Sequence, residues 1–251
     1  TTLIQGSENV IWTGTDGDGV FKMYPLKKSF NLISKTQMPE LDGGIVRSFL
    51  EVGGNSFWLG TKGKGLFRFS SDFYLNPEKP LAYKNFNESN SILNNAVFAL
   101  CEGKEDLVFI GTDGDGITVY DSKQSKLIGW REIEGYENVG YFKSVYAIHQ
   151  DQEGFVWLGT NGYGMIRCKI NRSGNKLKIT DFQKFIAGNN DKHSLSSNII
   201  FSIVPRNDNQ LWIGTRLGGL NLFDKKSGKF QVYKNNINDP ESLSNNDILC
   251  L

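Results

Sequence analysis

The chain has 251 residues, with 28 Lys and Arg against 27 Asp and Glu, a formal net charge of +1. No polybasic or polyacidic run stands out, so there is no electrostatic case for nucleic acid or for contact of this segment with an anionic membrane surface. No apolar stretch approaches the roughly 18 residues of a membrane-spanning helix, while 28 Gly, 12% aromatic residues and six Pro suit many short strands joined by tight turns.

In chain order, one phrase recurs five times: Trp12-Thr13-Gly14-Thr15, Trp58-Leu59-Gly60-Thr61, Phe109-Ile110-Gly111-Thr112, Trp157-Leu158-Gly159-Thr160 and Trp212-Ile213-Gly214-Thr215. The Gly-Thr pairs start at 14, 60, 111, 159 and 214, in steps of 46, 51, 48 and 55 residues. A period near 50 built from short β-rich runs predicts propeller blades. The expected fold is all-β: residues 1–251 form a β-propeller of four-stranded antiparallel blades, with repeat cores near 10–24, 56–70, 107–121, 155–169 and 210–224.

The fifth unit serves as template. A turn at 194–198 leads into a first strand at 199–204, and Asp208-Asn209 turns into a second at 210–215. Arg216-Leu217-Gly218-Gly219 is a hairpin into a third strand at 220–224, and 226–228 turns into a fourth at 229–233. Three short hairpins joining four strands make one blade. On the first strands one row is always small (Ser48, Ala99, Ala147, Ser202, Cys250), and two residues earlier stands Val46, Val97, Val145, Ile200 or Ile248. Such a row fits a crowded inner strand. The chain begins without Met and inside a repeat, and it spans five periods plus about three residues. It reads as a five-bladed ring or as five units of a larger one, a piece of something longer.

The recurrent Trp is expected to wedge between neighbouring sheets; Trp130 stands outside the repeat and is freer to be functional. Cys101, Cys168 and Cys250 form no Cys-x-x-Cys pair and read as small buried hydrophobes.

The phrases Leu211-Trp212-Ile213-Gly214-Thr215 through Gly218-Gly219-Leu220, and Asp239-Pro240-Glu241-Ser242-Leu243-Ser244-Asn245-Asn246, resemble the two-component regulator propeller repeat. The resemblance covers nearly the whole chain. It implies the periplasmic sensor region of a hybrid two-component system of the kind found in Bacteroidetes, usually as seven-bladed rings. It also implies detection of oligosaccharides and a homodimer in the intact receptor. The motif describes a scaffold and carries no ligand residue.

Asp16-Gly17-Asp18-Gly19 and Asp113-Gly114-Asp115-Gly116 resemble acidic calcium loops. The equivalent places hold Lys62 and Lys64, Asn161 and Tyr163, and Arg216 and Gly218. Lysine does not ligate calcium, so the shared feature is a glycine hairpin, and no metal or cofactor is expected. The same glycines join antiparallel strands with no helix N-terminus, which rules against a nucleotide loop. His149 and His193 are the only histidines, and no Ser, His and Asp recur at fixed blade positions, so the region reads as non-catalytic. A secreted hydrolase or lyase acting on polysaccharide, and a pure protein-interaction scaffold, are the alternatives. The varying hairpin residues mark the expected ligand face. Lys62, Asp113, Tyr163 and Arg216 are the candidate contacts there, and Trp130 and Tyr141 join them from the segment between the third and fourth units.

Overall fold

The computed structural model describes residues 2–6, 10–24, 29–33, 38–70, 81–83, 90–114, 116–140, 142–188 and 191–251. It has the blade architecture that the repeat predicts. Blade one is β1 (Thr2–Gln5), β2 (Ile11–Gly14), β3 (Val20–Tyr24) and β4 (Ser29–Ile33); blade two is β5 (Ile45–Val52), β6 (Ser56–Lys62), β7 (Leu66–Ser70) and β8 (Leu81–Tyr83). Blade three is β9 (Val97–Glu102), β10 (Leu107–Thr112), β11 (Ile117–Asp121) and β12 (Lys126–Gly129). Blade four is β13 (Val145–Gln150), β14 (Phe155–Thr160), β15 (Met165–Ser173) and β16 (Lys176–Phe185), and blade five is β17 (Ile200–Asn207), β18 (Gln210–Thr215), β19 (Gly219–Asp224) and β20 (Lys229–Tyr233). Each sheet is a meander of four consecutive strands, antiparallel throughout.

Two compact units divide these blades: Thr1–Gly129 holds blades one to three, and Trp130–Leu251 holds blades four and five. Within the first unit, first strands pack on first strands, β1 on β5 and β5 on β9; within the second, β13 packs on β17. The first strand is therefore the convergent edge of each blade. Val46, Val97, Val145 and Ile200 are fully buried there, and Ser48, Ala99 and Ala147 are buried beside them. Ser202 is half-buried with its Oγ closed off from solvent, and Cys250 is exposed on a segment with no strand structure.

The glycine of the Gly-Thr pair has a packing reason in blades one, two and four. An ideal Cβ on Gly60 would overlap Ser48 Oγ of its own blade and fall 2.7 Å from Val97 Cγ1 of the next. On Gly14 it would fall 2.7 Å from Val46 Cγ1, and on Gly159 2.6 Å from Ile200 Cγ2. In these blades a branched aliphatic side chain from the following blade fills the space that only glycine leaves. The small row supports the same approach from within the blade.

The second-strand aromatics seal the gaps between sheets. Trp12 stacks on Phe57 of blade two at 4.3 Å. Trp58 packs with Val108, Ile110 and Tyr120 of blade three, and Trp157 with Leu211 and Phe223 of blade five. Burying each such ring removes a large apolar area from water, with a few kcal/mol for a fully buried aromatic as the usual scale. The indole N–H groups find partners in turn: Trp58 Nε1 donates to Ser56 Oγ at 3.2 Å and Trp157 Nε1 to Asp151 Oδ2 at 2.8 Å. Trp212 is half-buried, 5.8 Å from Tyr233 and 5.5 Å from the Arg206 guanidinium.

Of the cysteines, Cys168 is fully buried, and burial pushes its thiol up to about 12. Cys101 is half-buried and Cys250 exposed, so the reading of all three as buried hydrophobes holds only for Cys168.

Candidate functional site

The hairpin joining second and third strands is built the same way in every blade. The threonine hydroxyl donates across the turn: Thr15 to Gly19 O at 3.1 Å, Thr61 to Gly65 O at 2.8 Å, Thr160 to Gly164 O at 2.7 Å and Thr215 to Gly219 O at 2.8 Å. Thr112 donates to Gly114 O at 2.7 Å. The same oxygen accepts the amide of the third residue after it, from Asp18, Lys64 and Tyr163. Four of these threonines have no exposed surface. Each clamp uses a hydroxyl and backbone, so it makes no demand on the side chain that directly follows the threonine.

The linker between blades is fastened to the preceding hairpin. Gly63 and Gly65 amides both donate to Asn95 O at 2.9 Å, Gly162 and Gly164 amides to Asn198 O at 2.9 and 3.0 Å, and Gly219 N to Asn246 O at 2.9 Å. The side chains of these linker residues tie the other way. Asn198 Oδ1 accepts Ala187 N and Asn246 Oδ1 accepts Asn235 N, at 2.7 and 2.8 Å. Upstream, Ser194 and Ser242 close equivalent turns on Asp191 and Asp239 through their carbonyl oxygens, at 2.8 and 2.7 Å. The Asp, Ser and Asn of the linker phrase are thus occupied in holding backbone. Hairpin and linker share one face of the blade, as expected from the sequence.

On that face Lys62 and Arg216 are exposed and Asp113 is half-buried. All three directly follow the clamp threonine, beside the first strand: Asp113 N donates to Ala96 O and Arg216 N to Ile199 O. Tyr163 stands two residues further on and lies toward the outer strand, with Lys184 Nζ 5.6 Å from its ring centroid. Asn161 is the blade-four equivalent of Lys62, and its Nδ2 donates to Tyr146 OH at 3.0 Å.

Trp130 is not on this face. It is 2% exposed, edge-on to Phe142 at 4.9 Å, with Ile133 also buried. The segment it opens is a small core of its own, fastened to the outer edge of blade four where Glu134 N donates to Leu177 O and Ile179 N donates to Glu134 O. A contact between residues 12 positions apart gave no signal in the repeat. Tyr141 and Asp115 lie outside the described residues.

A largely buried ion pair lies at the other end of the blades. Asp151, in the β13–β14 turn, accepts Phe155 N at 2.9 Å, Trp157 Nε1 at 2.8 Å and, from blade five, Lys225 Nζ at 2.8 Å. Burial pushes the Asp151 carboxyl up, but the bonds from Lys225, Trp157 and Phe155 outweigh it and hold the group below its ordinary value. Burial pushes His149 down, Lys225 adds to that and Asp151 opposes it. Asp151 is thereby committed to holding two blades together. Among the described residues no group of three or more His, Cys, Asp or Glu is placed to hold a metal.

Residues 142–162 and 194–216 match the family model described as Two component regulator propeller. The matched segments are the first two strands of blades four and five with the turns that flank them. A curated relative, Histidine kinase P4 of Formosa agariphila, is 23% identical over 217 residues, covering 66% of this chain and 15% of the relative. The chain therefore spans a small part of that protein's length. Among solved structures, the extracellular domain of a putative hybrid two component system from B. thetaiotaomicron is 24% identical with a TM-score of 0.69, over 96% of this chain and 29% of that one. PorZ, a surface component of the type-IX secretion system of Porphyromonas gingivalis, is 19% identical with a TM-score of 0.65, over 89% and 32%. At these identities the likeness is one of fold. No described helix of this chain is long and apolar enough to cross a membrane.

The sequence reading passed over one row of residues. Between the aliphatic and small positions of the first strands stand Arg47, Phe98, Tyr146 and Phe201. In all four strands the pairing register shifts at this place, so that residue falls between two paired positions. The signal was present as four large residues between two conserved kinds of position, but a reading by alternation assigns them simply to the other face.

Proposed function

We propose that this chain is the non-catalytic, ligand-binding propeller of an extracytoplasmic, periplasmic input region in a hybrid two-component regulator, and that it senses an oligosaccharide. The matched repeats and the likeness to an extracellular two-component domain support the sensor reading. One observation carries the binding part: a fixed backbone clamp presents Asp16, Lys62, Asp113, Asn161 and Arg216 at one position of five blades. A scaffold that holds its turn constant while the side chain changes from acid to base to amide is suited to reading a polyhydroxylated ligand. Asp151 is engaged in joining blades four and five at the opposite end, through Lys225. The intact receptor is proposed to act as a homodimer, with kinase chemistry outside this region.

Calorimetric titration of the full chain with a panel of neutral and acidic hexasaccharides tests the reading. Binding of one member without chain cleavage, weakened by about 1–3 kcal/mol in Arg216→Ala or Lys62→Ala, supports it. Release of shorter sugars on incubation would sink the non-catalytic assignment.

A further inference from the structure

The first strands carry a bulge at one repeated place. In β5, Val46 pairs with Thr61 and Ser48 with Gly60, so Arg47 has no opposite residue. The same break in register falls at Phe98 in β9, Tyr146 in β13 and Phe201 in β17. A bulge bends the strand and re-aims the side chain of the extra residue, and such devices gather next to binding sites. In these four strands the re-aimed residue is large, and in each it is half-buried while the aliphatic residue before it is fully buried. Packing alone explains the buried row. It does not explain why the bulged position carries a large residue in these four strands and stays in reach of solvent.

Within each unit the bulged residues meet across a blade boundary. In the second unit the Tyr146 and Phe201 rings lie nearly parallel, centroids 5.9 Å apart and planes 18° from one another. Tyr146 OH accepts from Asn161 Nδ2 at 3.0 Å, which ties the ring to the variable hairpin residue of its own blade. In the first unit the Arg47 guanidinium lies 5.9 Å from the Phe98 centroid, and Arg47 Nε is enclosed with no protein acceptor among the described residues. The residues that follow the clamp threonines are tied to the same first strands or to the residues just before them: Asn161 Nδ2 to Tyr146 OH and Arg216 N to Ile199 O in one unit, Asp113 N to Ala96 O and Lys62 bridged to Ala96 in the other. An aromatic plane bordered by amide and cationic hydrogen-bond donors is the surface that a pyranose ring fits, its C–H face stacking and its hydroxyls bonding at the rim.

We propose that Tyr146 and Phe201, the bulged first-strand residues of blades four and five, form the aromatic platform on which a sugar ring of the ligand stacks, with Asn161 and Arg216 binding its hydroxyls. This inference rests on the oligosaccharide reading above and names the subsite within it. Asn161 orients Tyr146 and is the point at which hairpin and platform are coupled.

The test uses the full chain and four probes, xylohexaose, cellohexaose, mannohexaose and a chondroitin hexasaccharide, titrated calorimetrically into wild type, Tyr146→Phe, Tyr146→Leu and Phe201→Leu. Leucine fills the space without an aromatic face, so folding is kept and is checked by melting temperature. For a probe that binds wild type, Tyr146→Leu and Phe201→Leu should each raise Kd at least tenfold, and Tyr146→Phe less than about fivefold. Saturation should also give a tyrosine difference spectrum that loses amplitude in Tyr146→Phe. A probe that binds all four proteins equally overturns the platform and leaves the oligosaccharide reading standing. Failure of every probe to bind wild type overturns both.

Discussion

Ile200 of blade five occupies the space that a side chain on Gly159 of blade four would need: a Cβ there would lie 2.6 Å from Ile200 Cγ2 and 3.1 Å from Ala147 Cβ. The recurrent Gly-Thr glycine is therefore set by the neighbouring blade, while the threonine beside it is set by the turn.

That relationship predicts the cost of disturbing it from either side. Ala147→Leu should overpack the boundary and lower stability by about 1–3 kcal/mol. Ile200→Ala should leave a cavity and cost about 2–5 kcal/mol. Urea unfolding followed by tryptophan fluorescence measures both; an Ala147→Leu protein as stable as wild type would contradict the packing described.

The Lys225 and Asp151 side chains are 13% and 5% exposed, and they join blades four and five. Lys225→Met leaves a buried carboxylate with only Trp157 Nε1 and Phe155 N as donors, and should cost roughly 3 kcal/mol. The double variant Lys225→Met with Asp151→Asn should recover part of that loss, because no unpaired charge remains. Double-mutant analysis by chemical denaturation reads the coupling.

His149 beside this pair gives a pH dependence with a defined sign. Its folded pKa lies below the ordinary histidine value, so in acid the unfolded chain takes up the proton first. The contribution is complete above the unfolded value of about 6.5 and is lost as pH falls below it toward the folded value. The melting temperature should fall between pH 7 and pH 5, and His149→Gln should flatten that part of the profile. Asp151, whose folded pKa is depressed, adds stability above the carboxylate range that disappears only at still lower pH.

Leu217 stands where four other hairpins have glycines of positive φ, Gly17, Gly63, Gly114 and Gly162, and its own φ is 57°. It is 71% exposed, so little burial compensates for the left-handed backbone. That backbone costs a residue with a side chain about 1–2 kcal/mol, and glycine returns about 0.4–1 kcal/mol to the unfolded chain. Leu217→Gly should therefore stabilise the protein by about 0.5–1 kcal/mol, seen as a shift of the urea midpoint. A destabilised variant would mean that Leu217 makes contacts beyond those its exposure allows.

Strand number and strand limits were legible because they rest on local chemistry. The template strands at 210–215 and 229–233 coincide with β18 and β20, where turn residues and alternation fix the ends. The crowding of Ala147 was legible because five copies of the position could be compared. Trp130 was not: its burial depends on Phe142, and nothing at residue 130 announces that partner. Tyr163 and Asn161 lie on the same turn, and only the register of the hairpin decides which reaches the first strand. The bulged row was missed because alternation assumes one residue opposite one, and the break in pairing that re-aims Tyr146 violates it.

The threonine clamp separates two kinds of change in this molecule. Asp18, Lys64 and Tyr163 give the same amide to the same oxygen, so exchange of one for another alters surface chemistry while the turn beneath stays as it was. Drift at those positions is decoupled from folding, and new ligand preference can accumulate there one blade at a time without compensating substitutions in the core.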